Sequence, residues 1–251
     1  MRTKLKSVLG RIYNWQPDLP DARDHKFALA RPGTAALPSK VDLRQRCSPV
    51  KDQGQLGSCT GNALAAAMEF LGYPSMSRLF IYYVERHMEN TVADDAGAVI
   101  RDGIQGLHDM GCCTEDLCPY DTSKFTEMPA PEAFADAQDR QIKSYRRISG
   151  LSAMKQCLAE GHPFVFGFTV YQSFESDQVA QDGLVQKPGP GEQSLGGHAV
   201  LCVGYDEATQ RVLVRNSWGA EWGDGGYFTL PYTYIGSRDL ADDMWTIRAD
   251  A

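Results

Sequence analysis

Four side chains in this 251-residue sequence have types and positions suited to acyl-transfer chemistry. Cys59 opens a run of helix-forming residues, Ala63 to Met68. A thiol in the first turn of a helix meets converging N–H groups and the positive end of the dipole, which favours thiolate. His198 follows Gly196 and Gly197 at the start of an apolar run. Those glycines leave the backbone open to close approach, and the imidazole could take the thiol proton. Asn216 precedes Ser217 and Trp218. Its carboxamide oxygen could hold one imidazole nitrogen and so fix the tautomer, with Trp218 shielding that bond from water. Gln53 lies six residues before Cys59. Its side-chain amide beside the Cys59 N–H would give two donors for a developing oxyanion. Taken singly, each is ordinary: a packing thiol, a core histidine, a turn asparagine, a surface glutamine.

The elements that must position them can be read from pattern. Ser58 is a candidate cap for a helix over 59–71, stopped by Gly72 and Pro74. A second helix over 77–86 carries Phe80, Tyr83 and Val84 on one core face, and a third spans 102–110. The second half turns β-rich: 164–170, 198–205, 211–216 and 226–230 read as strands, and 187–191 as a loop. Helices first and strands later imply an α+β fold of two lobes. The expected layout is an N-terminal extension over 1–36, a helical lobe with the thiol over 37–145, and a β lobe with histidine and asparagine over 146–251. The extension, with Pro17, Pro20, Pro32 and isolated Tyr13, Trp15 and Phe27, reads as an extended strap rather than a helix.

Composition narrows the function classes. A formal net charge of −7 argues against a nucleic-acid partner. No apolar run is long enough to cross a membrane, and the basic start lacks an apolar signal core, so the chain reads as leaderless, favouring a cytoplasmic start. The compartment stays open, because export by another route leaves no mark here. Seven cysteines occur without any CxxC pair, so no metal is expected. Cys47, Cys112, Cys113, Cys118, Cys157 and Cys202 read as small buried hydrophobes. No cofactor is called for, and a monomer is expected.

Order and spacing join the four side chains. Residues 49–59, PVKDQGQLGSC, resemble the active-site segment of the papain family of cysteine peptidases. Gly197-His198-Ala199-Val200 resembles its histidine motif, and Asn216-Ser217-Trp218-Gly219, continued by 222–227, its asparagine motif. Residues 37–44 resemble the start of a mature domain of this family, so the likeness covers about 37–251. His198 follows Cys59 by 139 residues, inside the family window of roughly 130–150.

The resemblance implies a papain-like two-lobe fold, with a β-barrel-like second lobe and the site in the cleft between lobes. It implies a cysteine endopeptidase acting on peptides or proteins through a Cys59–His198 thiolate–imidazolium pair and a thioester, with Asn216 orienting the ring. Gln53 and the Cys59 amide would form the oxyanion hole. Gly97 would meet the substrate backbone. Val99, Ile100, Gly167 and Gly196, with Gly197 and Trp218 nearby, would line substrate sites of apolar or aromatic preference. Leu56 stands where the family usually has a disulfide cysteine, and residues 94–98 align without its partner, so that bridge is missing at both ends. This agrees with a reducing or bacterial-type setting. Thr60 replaces the usual aromatic after the nucleophile. Two readings of the strap stand: a self-inhibitory segment over the cleft, or a structural arm. Two other functions share the residue order: a transferase or deamidase on the same fold, and a non-catalytic peptide-binding module.

Overall fold

The computed structural model describes residues 10–27 and 36–250. The expectations for 1–9 and 28–35, including the basic start, lie outside the described residues. Helices α1 (Cys59–Phe70), α2 (Arg78–Met88) and α3 (Ile100–Asp109) come first, after a short strand β1 (Lys40–Asp42). Then follow α4 (Pro131–Ala137), β2 (Ser144–Arg147), α5 (Leu151–Ala159), β3 (Phe164–Tyr171) and α6 (Asp177–Asp182). The chain closes with β4 (Ser194–Asp206), β5 (Arg211–Arg215), β6 (Tyr227–Pro231), α7 (Tyr232–Ile235) and β7 (Ala241–Arg248). The α+β, two-lobe expectation holds.

One seven-stranded antiparallel sheet runs β2-β7-β3-β4-β5-β6, with β1 paired to β4. It does not close on itself, so the expected barrel-like lobe is an open sheet. Its central strands are buried on both faces, which is why they read as continuous apolar runs. Phe164, Phe166, Phe168, Val200 and Cys202 face the second lobe's own core. The alternate residues Val165, Ala199, Leu201 and Val203 face the helical lobe.

Every residue of α1 is buried, so this helix runs through the first lobe rather than along its surface. It packs against β4 on one side and α2 on the other. Gly61 permits the second contact, because a Cβ there would sit 2.7 Å from the Arg78 carbonyl oxygen. The α2 helix is capped by Ser77, whose Oγ accepts the Phe80 N–H at 3.0 Å. Ser58 does not cap α1 as expected. Its hydroxyl lies 2.5 Å from the Tyr120 hydroxyl instead, and Tyr120 donates to the Gln53 carbonyl at 3.0 Å. The helix start is thus tied to the loop before it.

All seven cysteines are free thiols. Cys112, Cys113, Cys157 and Cys202 are buried, whereas Cys47 and Cys118 are half-buried. The missing bridge near Cys59 has a non-covalent replacement. Leu56 packs with Leu79, Tyr82 and Ala98. Beside it the Asp95 carboxylate accepts the Gly57 N–H at 3.0 Å and the Tyr82 hydroxyl at 2.5 Å.

Candidate active site

The packing of α1 on β4 sets Cys59 beside the strand that carries His198. Cys59 heads α1, and the amide of Ala199, next to His198, is directed at its sulfur. His198 Nε2 is 2.9 Å from Asn216 Oδ1. Its other nitrogen, Nδ1, is buried and has no hydrogen-bond partner among the described residues. The Trp218 ring stacks on the imidazole at 5.1 Å and 26°. Trp218 is itself buried, so the His198–Asn216 bond is closed to water.

Gln53 is held on both faces of its amide. Its Oε1 accepts the Ser217 hydroxyl at 2.5 Å, and its Nε2 donates to the Leu56 carbonyl at 3.0 Å. Ser217 also gives its N–H to Asn216 Oδ1 at 2.9 Å. One serine therefore orients both carboxamides, a link the sequence hid because serine after asparagine is common. Thr60 points away from the cleft, its hydroxyl donating to buried Glu85 at 2.7 Å. Burial drives the Glu85 carboxyl well above its ordinary range, toward the neutral acid.

The strap lies across this site. Its backbone pairs in parallel with both lobes: Trp15 N–H donates to Gly197 O at 3.0 Å, and Gln16 N–H to Ala98 O at 3.3 Å. The glycines singled out from sequence are what permit it. A Cβ on Gly97 would stand 2.0 Å from the Asn14 oxygen, and one on Gly167 1.9 Å from the Trp15 indole. Gly196 and Gly197 likewise admit the carbonyl oxygens of Tyr13 and Trp15. Val99 pairs with Gln16, and Ile100 shares a core cluster with Trp15 and Cys59. Six of the seven residues expected to meet substrate thus line the strap, and Ile100 is buried in the core of the helical lobe.

Before the glycines, Arg11 sits 4.2 Å above the Trp218 ring. Tyr13 packs edge-on to His198 at 6.0 Å. Beyond them the strap is pinned by charge. The Asp18 side chain is fully buried and accepts from Trp245 Nε1 at 2.8 Å and from Arg147 at 3.2 Å. Its own N–H donates to Asp243 at 2.7 Å. Asp24 pairs with Arg101 at 2.8 Å and Arg147 at 3.3 Å. Tyr13 and Trp15, two residues apart in an extended chain, both face the cleft.

Covering the site changes its ionisation. Burial pushes the Cys59 thiol up to about 12, against the pull of the Ala199, Thr60 and Trp15 amides. Burial also lowers His198 to about 4, opposed by Asn216 and aided by Arg11. Burial under the strap thus favours the neutral thiol and the neutral imidazole.

Comparison with known proteins agrees with the fold. The family described as papain family cysteine protease matches residues 37–244. The chain is 42% identical over 224 residues to an uncharacterized peptidase C1-like protein of Acanthamoeba polyphaga mimivirus, covering 83% of this chain and 72% of that one. A cathepsin L-like peptidase of Aedes aegypti is 30% identical over 216 residues, covering 79% of this chain and 60% of that one. The crystal structure of xylellain, a cysteine protease from Xylella fastidiosa, superposes with a TM-score of 0.90 at 41% identity, covering 100% of this chain and 99% of that one. By sequence match across most of its length and by its papain-like two-lobe fold, the chain belongs to the papain family and is a papain-type cysteine peptidase.

Proposed function

We propose that the chain is an endopeptidase with Cys59 as nucleophile, His198 as acid and base, and Asn216 as the group that orients the imidazole. The observation that carries this is the unequal treatment of the two ring nitrogens: Nε2 is held by Asn216, while Nδ1 is buried without a hydrogen-bond partner among the described residues. A peptide carbonyl seated at Cys59 is attacked by the thiolate, forming a C–S bond and an oxyanion. The Cys59 N–H and Gln53 Nε2 stabilise that oxyanion. The C–N bond then breaks as His198 passes its proton to the leaving amine. Water, deprotonated by His198, hydrolyses the thioester and restores the thiol.

In the same reading the strap is a built-in inhibitor. A substrate whose leaving amine meets His198 runs from Gly97 toward Trp218, whereas the strap runs from Trp218 toward Val99. It fills the cleft with reversed polarity and so presents no carbonyl in the productive sense. Lifting it returns water to Cys59 and His198, which reverses the dominant burial effect on both groups and lets the ion pair form. The Trp15 indole against Gly167 supports an apolar or aromatic preference on the acyl side.

An epoxide directed at reactive thiols tests the reading. One labelled residue, mapped to Cys59, and loss of all peptide cleavage in Cys59→Ala are expected. Labelling elsewhere, or cleavage that survives Cys59→Ala, refutes it. Deamidated or cross-linked glutamine in place of cleaved peptide would assign the transferase chemistry instead.

A further inference from the structure

The leaving-group side of the cleft carries an acidic feature that the reaction itself does not use. Glu175 ends a short 3-10 turn, Gln172–Glu175, whose Phe174 is buried against Trp218 at 5.3 Å and Trp222 at 5.5 Å. The turn is therefore fixed relative to the imidazole that Trp218 covers. Glu175 Oε1 accepts the Tyr13 hydroxyl at 2.6 Å. The Tyr13 ring that delivers this hydroxyl also packs against His198 and Trp218. Across the Trp218 ring, Asp52 pairs with Arg11 at 3.8 Å. Arg11 also feels Glu175 and Asp52 as charges that favour its protonated form, against the larger opposing effect of its burial. The strap thus offers one phenol and one guanidinium to two carboxylates, on the side where a substrate's leaving amine must emerge.

We infer that Glu175 selects the residue just after the scissile bond, favouring tyrosine and cationic side chains over acidic ones. The inference rests on the peptidase reading above. A carboxylate there accepts a phenol hydroxyl or pairs with a guanidinium, and it repels a substrate carboxylate. Reversal of the strap does not weaken this, because a side-chain pocket is filled from either backbone direction. Asp52 adds to the field, but its side chain is more than half exposed, so solvent screens it. Glu175, seated beside buried Phe174, carries most of the discrimination.

The test uses the full-length chain with Trp15→Ala, which takes the strap's ring off Gly167. It is given internally quenched peptides with a fixed aromatic acyl-side residue and Tyr, Arg, Leu or Glu after the scissile bond. The kcat/KM for the Tyr and Arg peptides is expected to exceed that for the Glu peptide by about tenfold or more. Adding Glu175→Gln should remove most of the Arg-over-Glu ratio while keeping Tyr ahead of Leu, since the amide oxygen still accepts a hydroxyl. Glu175→Arg should invert the Arg-to-Glu order. Equal cleavage of all four peptides, or a ratio that Glu175→Arg leaves in place, overturns the inference and leaves the peptidase reading standing. A chain that cleaves none of them overturns the peptidase reading, and the inference with it.

Discussion

The two halves of the strap are held by different physics. Arg11 to Gln16 lie on the cleft chiefly through aromatic rings and two backbone bonds, with Tyr13 and Arg11 also reaching the half-buried Glu175 and the exposed Asp52. Asp18 to Phe27 are held by carboxylates sunk among two arginines and a tryptophan, and by backbone bonds between Arg147 and residues 25 and 27. The first half touches the residues proposed for chemistry, so its shape is constrained by what a substrate must resemble. The second half touches none of them and is free to be ionic. If the strap inhibits as proposed, blocking and holding are separable tasks, and each half can be altered without the other.

The largest effect should come from the cleft half. Trp15→Ala removes a buried indole, a change that costs about 3–5 kcal/mol in cores. Cys59 labelling by the epoxide should then rise by roughly a hundredfold or more. Asp18→Ala should follow closely, because it strips a buried carboxylate from Arg147 and Trp245. Breaking a buried pair costs about 3–5 kcal/mol, moderated here because Asp24 and Asp243 still face Arg147. If one variant frees Cys59 and the other does not, the two halves do not share the hold.

A pH series sharpens the contrast. Asp243 is pushed up to about 7, first by burial and then by the charge of Asp18, with Arg147 opposing and Asp242 adding. Asp18 is raised as well, again first by burial, with Trp245, Arg101 and Arg147 opposing. The docked strap therefore favours a proton held by the Asp18–Asp243 pair, chiefly on Asp243. The sign follows: this contribution to docking is complete below the ordinary carboxylate range and is lost as pH rises through about 7. Labelling of Cys59 should accelerate between pH 6 and 8 more steeply than thiol ionisation alone accounts for, and Asp243→Asn should flatten the excess. No such excess in the unaltered chain would separate the anchor from proton uptake. The smallest effect belongs to Asp21→Ala, which breaks only contacts with Arg23, the exposed ion pair and the bond from its N–H. It should leave the labelling rate unchanged within error.

How much of this the sequence carried depended on whether neighbours were local. The α1 and α2 helices and strands β3 to β6 were legible because their apolar periods are set by the chain itself. The cleft glycines were legible through the family resemblance. Strand β7 was not, because Asp242-Asp243 breaks its pattern and is tolerated only through Arg147 and the strap. Ser58 misled for a similar reason: its hydroxyl was claimed by Tyr120, a partner 62 residues away. The roles of Ser217, Asp95 and Glu175 likewise exist only once distant segments meet.

Tyr13 and Trp15 belong to the same chain as Gly97 and Gly167, so their encounter is first order. Diluting the protein neither loosens nor tightens the strap. A free peptide of the same residues would have to match an effective concentration that short tethers commonly place near the millimolar range. Any substrate faces the same rival. Its apparent affinity is its affinity for the open cleft multiplied by the fraction of time the strap is away. If the strap inhibits as proposed, latency is one equilibrium that both of its halves set.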